Sequence, residues 1–226
     1  IVIRTEDMDV LLRGVDVNDE DIDGDATEDR PWKLGDIFHS TPVLVTPPFI
    51  PSSDSSYAAF RTAQAGRTAI LLAGANDGML HAFKEADGEE LWAFIPPNLL
   101  GRLKELSSTS GEHPFLLDAS PIAADVKIQI GSDTSPQWHT IVVFGQRRGG
   151  STYTAMDITT PTDPVYLWSF TDAKIAETWS DPVIGKVKMD SGTGSTEKSV
   201  AIFAGGYDTS HNNTHGKAIF VVDVAT

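Results

Sequence analysis

The chain has 226 residues, 40% of them hydrophobic, and no cysteine, so it can bury a sizeable core but has neither a disulfide framework nor thiolate chemistry. Its 17 basic and 32 acidic residues give a net charge of -15, which repels phosphate backbones and anionic lipid heads and argues against a nucleic-acid partner. No apolar run approaches the length of a membrane span, and the first residues, IVIRTEDMDV, lack the layout of a signal peptide.

In residues 1–15 a polar start precedes Val10, Leu11 and Leu12, a pattern that suits a short helix or strand. The acidic loop DVNDEDIDGDATEDR follows at residues 16–30. Asp19, Asp21, Asp23 and Asp25 take positions 1, 3, 5 and 7 of a calcium loop, with Gly24 at position 6 where the chain must turn sharply. Position 12 is Arg30 instead of the bidentate Glu, so Glu28 or Asp29 has to fold back to supply an oxygen. So many like charges repel unless a cation is present, and calcium held by Asp19, Asp21, Asp23, Asp25 and Glu28 is the expected cofactor. A solvated acidic loop without metal is the alternative. Residues 1–30 are thus a lead-in segment carrying the acidic loop, and residues 31–226 the main unit.

That unit is built on a repeat. The stretch AGANDGMLHAFKEADGEELWAF at residues 73–94 holds the end of one strand, a turn at Asn76-Asp77-Gly78, a second strand over 79–83, a turn at Asp87-Gly88, and a third strand with Leu91, Trp92 and Phe94 apolar. It reads as one propeller blade in miniature. Three such units align, opening with HSTPVLV (39–45), ASPIAADV (119–126) and TWSDPVIGKV (178–187). Each continues with a β-branched run ending in Gly: TAILLAG, TIVVFG and SVAIFAGG. Next come LHAF, YTAMD and IFVVD, and the first two units close with LWAF and LWSF. The third stops before its closing strand, so the chain reads as part of something longer.

Between the repeats lie insertions. Residues 47–64 begin with Pro47, Pro48 and Pro51 and end in a helical turn over 58–64. In PPNLLGRLKELSST, Leu99, Leu100, Leu103 and Leu106 mark one apolar helix face, and this is the helix expected to exceed two turns. The SGTGSTE run within 189–198 predicts a flexible hairpin tip, and residues 207–216 a polar loop. The fold class is therefore all-β: about three quinoprotein-like β-propeller blades of a larger ring, with one inserted short helix.

Few side chains call for chemistry. His211 and His215 have the i, i+4 spacing of a metal pair, but their Gly, Asn, Thr and Ser neighbours make them loop residues. Arg147 and Arg148, ahead of Gly149-Gly150, suit an anion nest or, as the blander reading, a turn whose arginines pair with acids such as Asp157 or lie over a Trp face. Trp92, Trp168 and Trp179 read as docking residues between blades whose indole N–H groups need partners. Nucleophile elbow, phosphate loop and HExxH are all missing, which favours a binding or structural module over an enzyme.

The blocks RPWKLGDIFHSTPVLV, GANDGMLHAFKEADGEELWAFIPPNLL, WHTIVVFGQRRGGSTYTAMDITTPTDPVYLWSF and TWSDPVIGKV together resemble the C-terminal β-propeller domain of the PilY/PilC family of type IV pilus-tip adhesins and assembly factors. The resemblance runs from about Arg13 to the end. It implies a non-catalytic module of a modified seven-bladed propeller, located outside the cell at the pilus or outer-membrane surface and acting in pilus biogenesis and adhesion. Implied partners are the remaining blades of the parent protein, pilin or minor pilins, and a host or abiotic surface. Two alternatives stand beside it. The rhythm of residues 73–94 is similar to the tryptophan-docking repeats of pyrroloquinoline-quinone dehydrogenases, though no Cys pair is present. An outer-membrane assembly scaffold propeller would lack the GDIFHSTP and RRGG blocks.

Overall fold

The computed structural model describes residues 2–3, 34–107, 113–190, 194–212 and 214–225, and the acidic loop with its five candidate calcium ligands lies outside them. The strands are β1 (Val2–Ile3), β2 (Val43–Val45), β3 (Ile70–Gly74), β4 (Leu80–Lys84), β5 (Glu90–Phe94), β6 (Ile122–Ile128), β7 (Gln137–Phe144), β8 (Tyr153–Asp157), β9 (Val165–Phe170), β10 (Val183–Asp190), β11 (Ser195–Ala204) and β12 (Ile219–Asp223). They form three antiparallel sheets in the orders β1-β5-β4-β3-β2, β6-β7-β8-β9 and β10-β11-β12. Each is a meander whose first strand begins directly after one of the repeated prolines, Pro42, Pro121 and Pro182. Proline's missing N–H confines it to strand starts and edges, which is where these three sit.

Register makes the blades equivalent residue by residue. Val43, Leu72, Ala82 and Trp92 lie opposite one another across the first sheet. Ile122, Val143, Ala155 and Trp168 do the same across the second. Both sheets slip register at the same place in their outer pair, at Ala82/Phe83 and at Ala155/Met156. Such bulges increase local twist. The first row packs with Val142, Phe144 and Met156 of the second sheet in one apolar cluster. Val143, Ala155 and Trp168 of the second row pack with Ala201, Phe203 and Phe220 of the third sheet in another. Trp92 donates its indole N–H to the Pro161 carbonyl (2.7 Å) and Trp168 to the Val224 carbonyl (3.0 Å), so each reaches the turn after the third strand of the next blade. Both are buried, as blade-docking residues should be.

The third sheet continues this row with Val183, Ile202 and Val221. Here nothing described covers the face: Val183 and Val221 are more than half exposed, as is the neighbouring Ile219. Its first two strands are longer than their counterparts, with Ser195 to Lys198 in ladder pairing where the sequence suggested a loose tip.

The helices depart from expectation. Ser55–Ala63 is a nine-residue α-helix, α1, where the sequence pattern predicts only a turn over 58–64. Asp54 caps it by accepting from the Ser56 and Tyr57 amides, and Tyr57 and Phe60 are buried one turn apart. Tyr57 donates to Asp125 (2.7 Å), and Ser56 Oγ accepts from Trp138 and Lys127 (each 2.9 Å), so α1 fastens the first blade to the second. Burial, then the Asp125 carboxylate, pushes the Tyr57 phenol up to about 12. The segment Pro97–Ser107 is a 3-10 helix instead of the expected α-helix. Gly101 weakens an α-helical turn at its centre. Tertiary anchors then set its path, because Arg102 donates to the Phe115 and Gly149 carbonyls and Leu99 is fully buried.

Candidate functional site

Because the strands start in register at the three prolines, the residues three places earlier, His39, Asp118 and Trp179, are equivalents on successive blades. They converge. The His39 amide donates to Asp118 Oδ1 (3.1 Å), His39 Nδ1 lies 2.5 Å from Asp118 Oδ2, and the His39 and Trp179 rings are 5.5 Å apart. The lead-in segments that carry them are held by serine hydroxyls. Ser40 accepts from the Gly74 amide, Ser180 from the Ala204 amide, and Ser120 from the Thr41 amide.

The β7–β8 turn, Gln146 to Thr152, brings two arginines to the same end. Thr178 Oγ1 accepts from the Gln146 (2.7 Å) and Arg147 (2.9 Å) amides, and Arg147 has a left-handed backbone, φ 49°. Gly149 is required by contact: a Cβ there would lie 1.7 Å from the Leu116 carbonyl oxygen. The Arg147 guanidinium lies 5.4 Å from the Trp179 ring centre, donates to the His39 carbonyl (3.3 Å) and approaches Asp181 at 3.8 Å. Arg148 stacks 3.9 Å from the Phe115 ring centre. Of the sequence readings for this pair, the stacked turn holds, with Asp181 in place of Asp157, which pairs with His139.

Aromatic contacts extend the cluster over all three blades. His113 meets Phe115 (4.8 Å), Phe115 meets Phe38 (5.8 Å) and Phe38 meets His39 (4.5 Å). Beyond His39 and Trp179 come Tyr207 (6.4 Å) and His211 (5.7 Å), the last two also hydrogen-bonded. The result is a continuous band of seven rings at one end of the blades, on the loops that enter the first strands and on the β11–β12 loop. It stays partly open: Phe38 is 64% exposed, Tyr207 48% and Trp179 37%. Trp179 is thus no docking residue like Trp92 and Trp168. It precedes a first strand instead of lying in a fourth, and its indole N–H donates to Glu177 on the surface.

Most carboxylates around the band are engaged. Asp36 accepts from Asn76 and faces His113 at 2.6 Å, Asp118 is wholly taken by His39, and Glu177 binds Trp179. His211 and His215 are exposed loop residues with Tyr207 and Thr214 as their partners, as their flanks suggested. Among the described residues no group of three or more His, Cys, Asp and Glu side chains could hold a metal ion. Partly open rings and guanidinium groups offer stacking, cation–π and hydrogen-bond donor contacts. Sequence reasoning missed Phe38, His39, Phe115, Asp118 and Tyr207 as a group. The signal available was the alignment of HSTP, DASP and WSDP, which already sets His39, Asp118 and Trp179 in one column.

Two other histidines lie between strands, His81 buried and His139 partly so, each clamped by two acids. His81 lies 2.6 Å from Glu90 and 3.0 Å from Asp77, and His139 lies 2.8 Å from Asp157 and 3.0 Å from Asp133. Burial pulls the His81 pKa down, but hydrogen bonds and charge from Asp77 and Glu90 outweigh it and raise it to about 9. His139 is raised in the same sense, chiefly by its bond to Asp157.

Stacked antiparallel meanders, each handing a tryptophan to the next, define consecutive blades of a β-propeller. A family model of the PilY1 β-propeller domain matches residues 34–225, and the chain belongs to that family. It is 33% identical over 178 residues to the type IV pilus biogenesis factor PilY1 of Pseudomonas aeruginosa strain UCBPP-PA14, covering 72% of this chain and 15% of that protein. It is 35% identical over 165 residues to a PilY1 homolog of Xylella fastidiosa strain Temecula1, covering 68% of this chain and 13% of the homolog. The crystal structure of the Pseudomonas aeruginosa PilY1 C-terminal domain superimposes with a TM-score of 0.56 and 26% identity, over 76% of this chain and 32% of that one. The chain therefore spans about a seventh of the length of the curated relatives it matches.

Proposed function

We propose that this chain is a non-catalytic propeller module of a type IV pilus biogenesis factor, with a part in surface adhesion, and that its band of exposed rings is a contact surface. The observation that carries the reading is the match of residues 34–225 to the PilY1 β-propeller domain. Relatives bearing that domain are named type IV pilus biogenesis factors. The open apolar row of the third sheet supports further blades as its neighbours in the parent protein. In this reading pilins and an external surface are the other partners, the location is extracellular, and residues 1–30 are a lead-in whose β1 strand joins the first blade's sheet. Deleting the encoding gene in its host should abolish surface pili and attachment, and the full-length gene should restore both. Normal piliation in the deletion strain would overturn the proposal.

Calcium at Asp19, Asp21, Asp23, Asp25 and Glu28 belongs to the same proposal and is supported by the spacing of the acids in the sequence. Titration calorimetry with calcium should give saturable heat for the native chain and none for an Asp21→Ala, Asp23→Ala variant. Equal and negligible heats from both would remove the metal and leave the pilus reading standing.

A further inference from the structure

Arg148 is an exposed guanidinium with one face on Phe115, and among the described residues it forms no ion pair. Stacking occupies the face of a guanidinium and leaves its edge, with its fork of N–H donors, turned outward. That fork matches a carboxylate in two parallel hydrogen bonds. Beside it lie the exposed ring of Phe38, in edge contact with Phe115, and, past His39, those of Trp179 and Tyr207. Trp, Tyr and Arg are the residue types that carry most binding energy at protein interfaces. Neutral sugars need acceptors beside the rings, and there Asp36 and Asp118 have both oxygens bonded to protein groups, Glu177 has one bonded to Trp179, and Asp181 faces Arg147. A net charge of -15 repels an extended anionic surface such as a membrane far more than a single carboxylate seated directly on one guanidinium. Free donors and open rings remain.

We propose that the band docks an extended segment of a partner protein that presents a carboxylate side chain between apolar ones, the carboxylate on Arg148 and the apolar neighbours on Phe38 and Phe115. This rests on the pilus reading for where the partner is met and on the geometry alone for its chemistry. The test uses the full chain at low salt with a capped pentapeptide of sequence Ala-Phe-Glu-Phe-Ala and its Gln isostere. The Glu peptide should bind about fivefold more tightly than the Gln peptide, the scale of an exposed ion pair. Arg148→Gln should bring the ratio to about one, and Arg148→Lys, which keeps the charge and loses the fork, to an intermediate value. Phe38→Ala should weaken both peptides and preserve the ratio. A ratio near one in the native chain, a ratio that survives Arg148→Gln, or no binding of either peptide at millimolar concentration overturns the proposal. So does preferential binding of a neutral oligosaccharide or of phosphatidylglycerol vesicles. Failure here, with piliation still dependent on the gene, sinks the docking chemistry alone, whereas gene-independent piliation sinks the pilus reading alone.

Discussion

Three of the five tryptophans occupy two contrasting regions, the seams between blades and the loop end. Trp92 and Trp168 sit in fourth strands, buried, each with its indole N–H on a carbonyl of the next blade. Trp179 sits just before a first strand, 37% exposed, under an arginine and bonded to a surface glutamate. One side chain type therefore does two jobs. In the seams its area is spent on holding blades together, while at the loop end it stays available because the loops are pinned by backbone bonds to Ser40, Ser120, Thr178 and Ser180 instead of by ring burial.

The sharpest way to break this contrast is to truncate the seam residues. Trp92→Ala or Trp168→Ala should cost about 3 to 5 kcal/mol of stability, because each removes a buried ring and strands a carbonyl acceptor. Denaturant titration measures it, and an unchanged midpoint would take these residues out of the seam.

Next in size is the pH response of the clamped histidine in the first blade. The His81 pKa is raised in the folded chain from the ordinary 6.5 to about 9, so its contribution is fully present below pH 6.5 and disappears as pH rises through 9. The loss should be on the order of 3 kcal/mol between pH 6 and pH 10. His139 adds in the same direction. Urea unfolding at the two pH values should show the drop, and His81→Gln should remove most of the difference. A difference as large in the variant as in the native chain would assign the effect to other groups.

At the loop end the effects are smaller and more local. Asp118→Ala leaves the His39 amide and imidazole without their acceptor, which should cost about 2 kcal/mol. Its fingerprint is faster amide exchange at His39 with little change in the strands. Trp179→Ala should cost less than about 1 kcal/mol, since the ring is partly solvated. A loss as large as that of Trp92→Ala would mean the two regions do not differ in kind.

Much of this was legible in the sequence. The three openings at Pro42, Pro121 and Pro182, the β-branched runs ending near Gly74, Gly145 and Gly205, and the paired LWAF and LWSF endings each follow from local rules: proline at strand starts, alternation in strands, glycine where the chain turns. Local rules fix what a segment of a few residues can become, so they set the blade count and the meander within each blade, while the pairing of β1 with β5 joins residues about 90 apart and was not visible in them. They failed at Ser55–Ala63, where Asp54 caps a full helix that docks on Asp125 and Trp138, and at Pro97–Ser107, where bonds from Arg102 to the Phe115 and Gly149 carbonyls, far along the chain, override the leucine spacing. The ring band was hidden for the same reason. Phe38, Phe115, Trp179 and Tyr207 are separated by up to three blades of sequence, and no periodicity within one segment reports that they meet. Only the stacking of blades about a common end brings their loops within van der Waals and hydrogen-bond range, because those forces act over a few ångströms of space and take no account of distance along the chain.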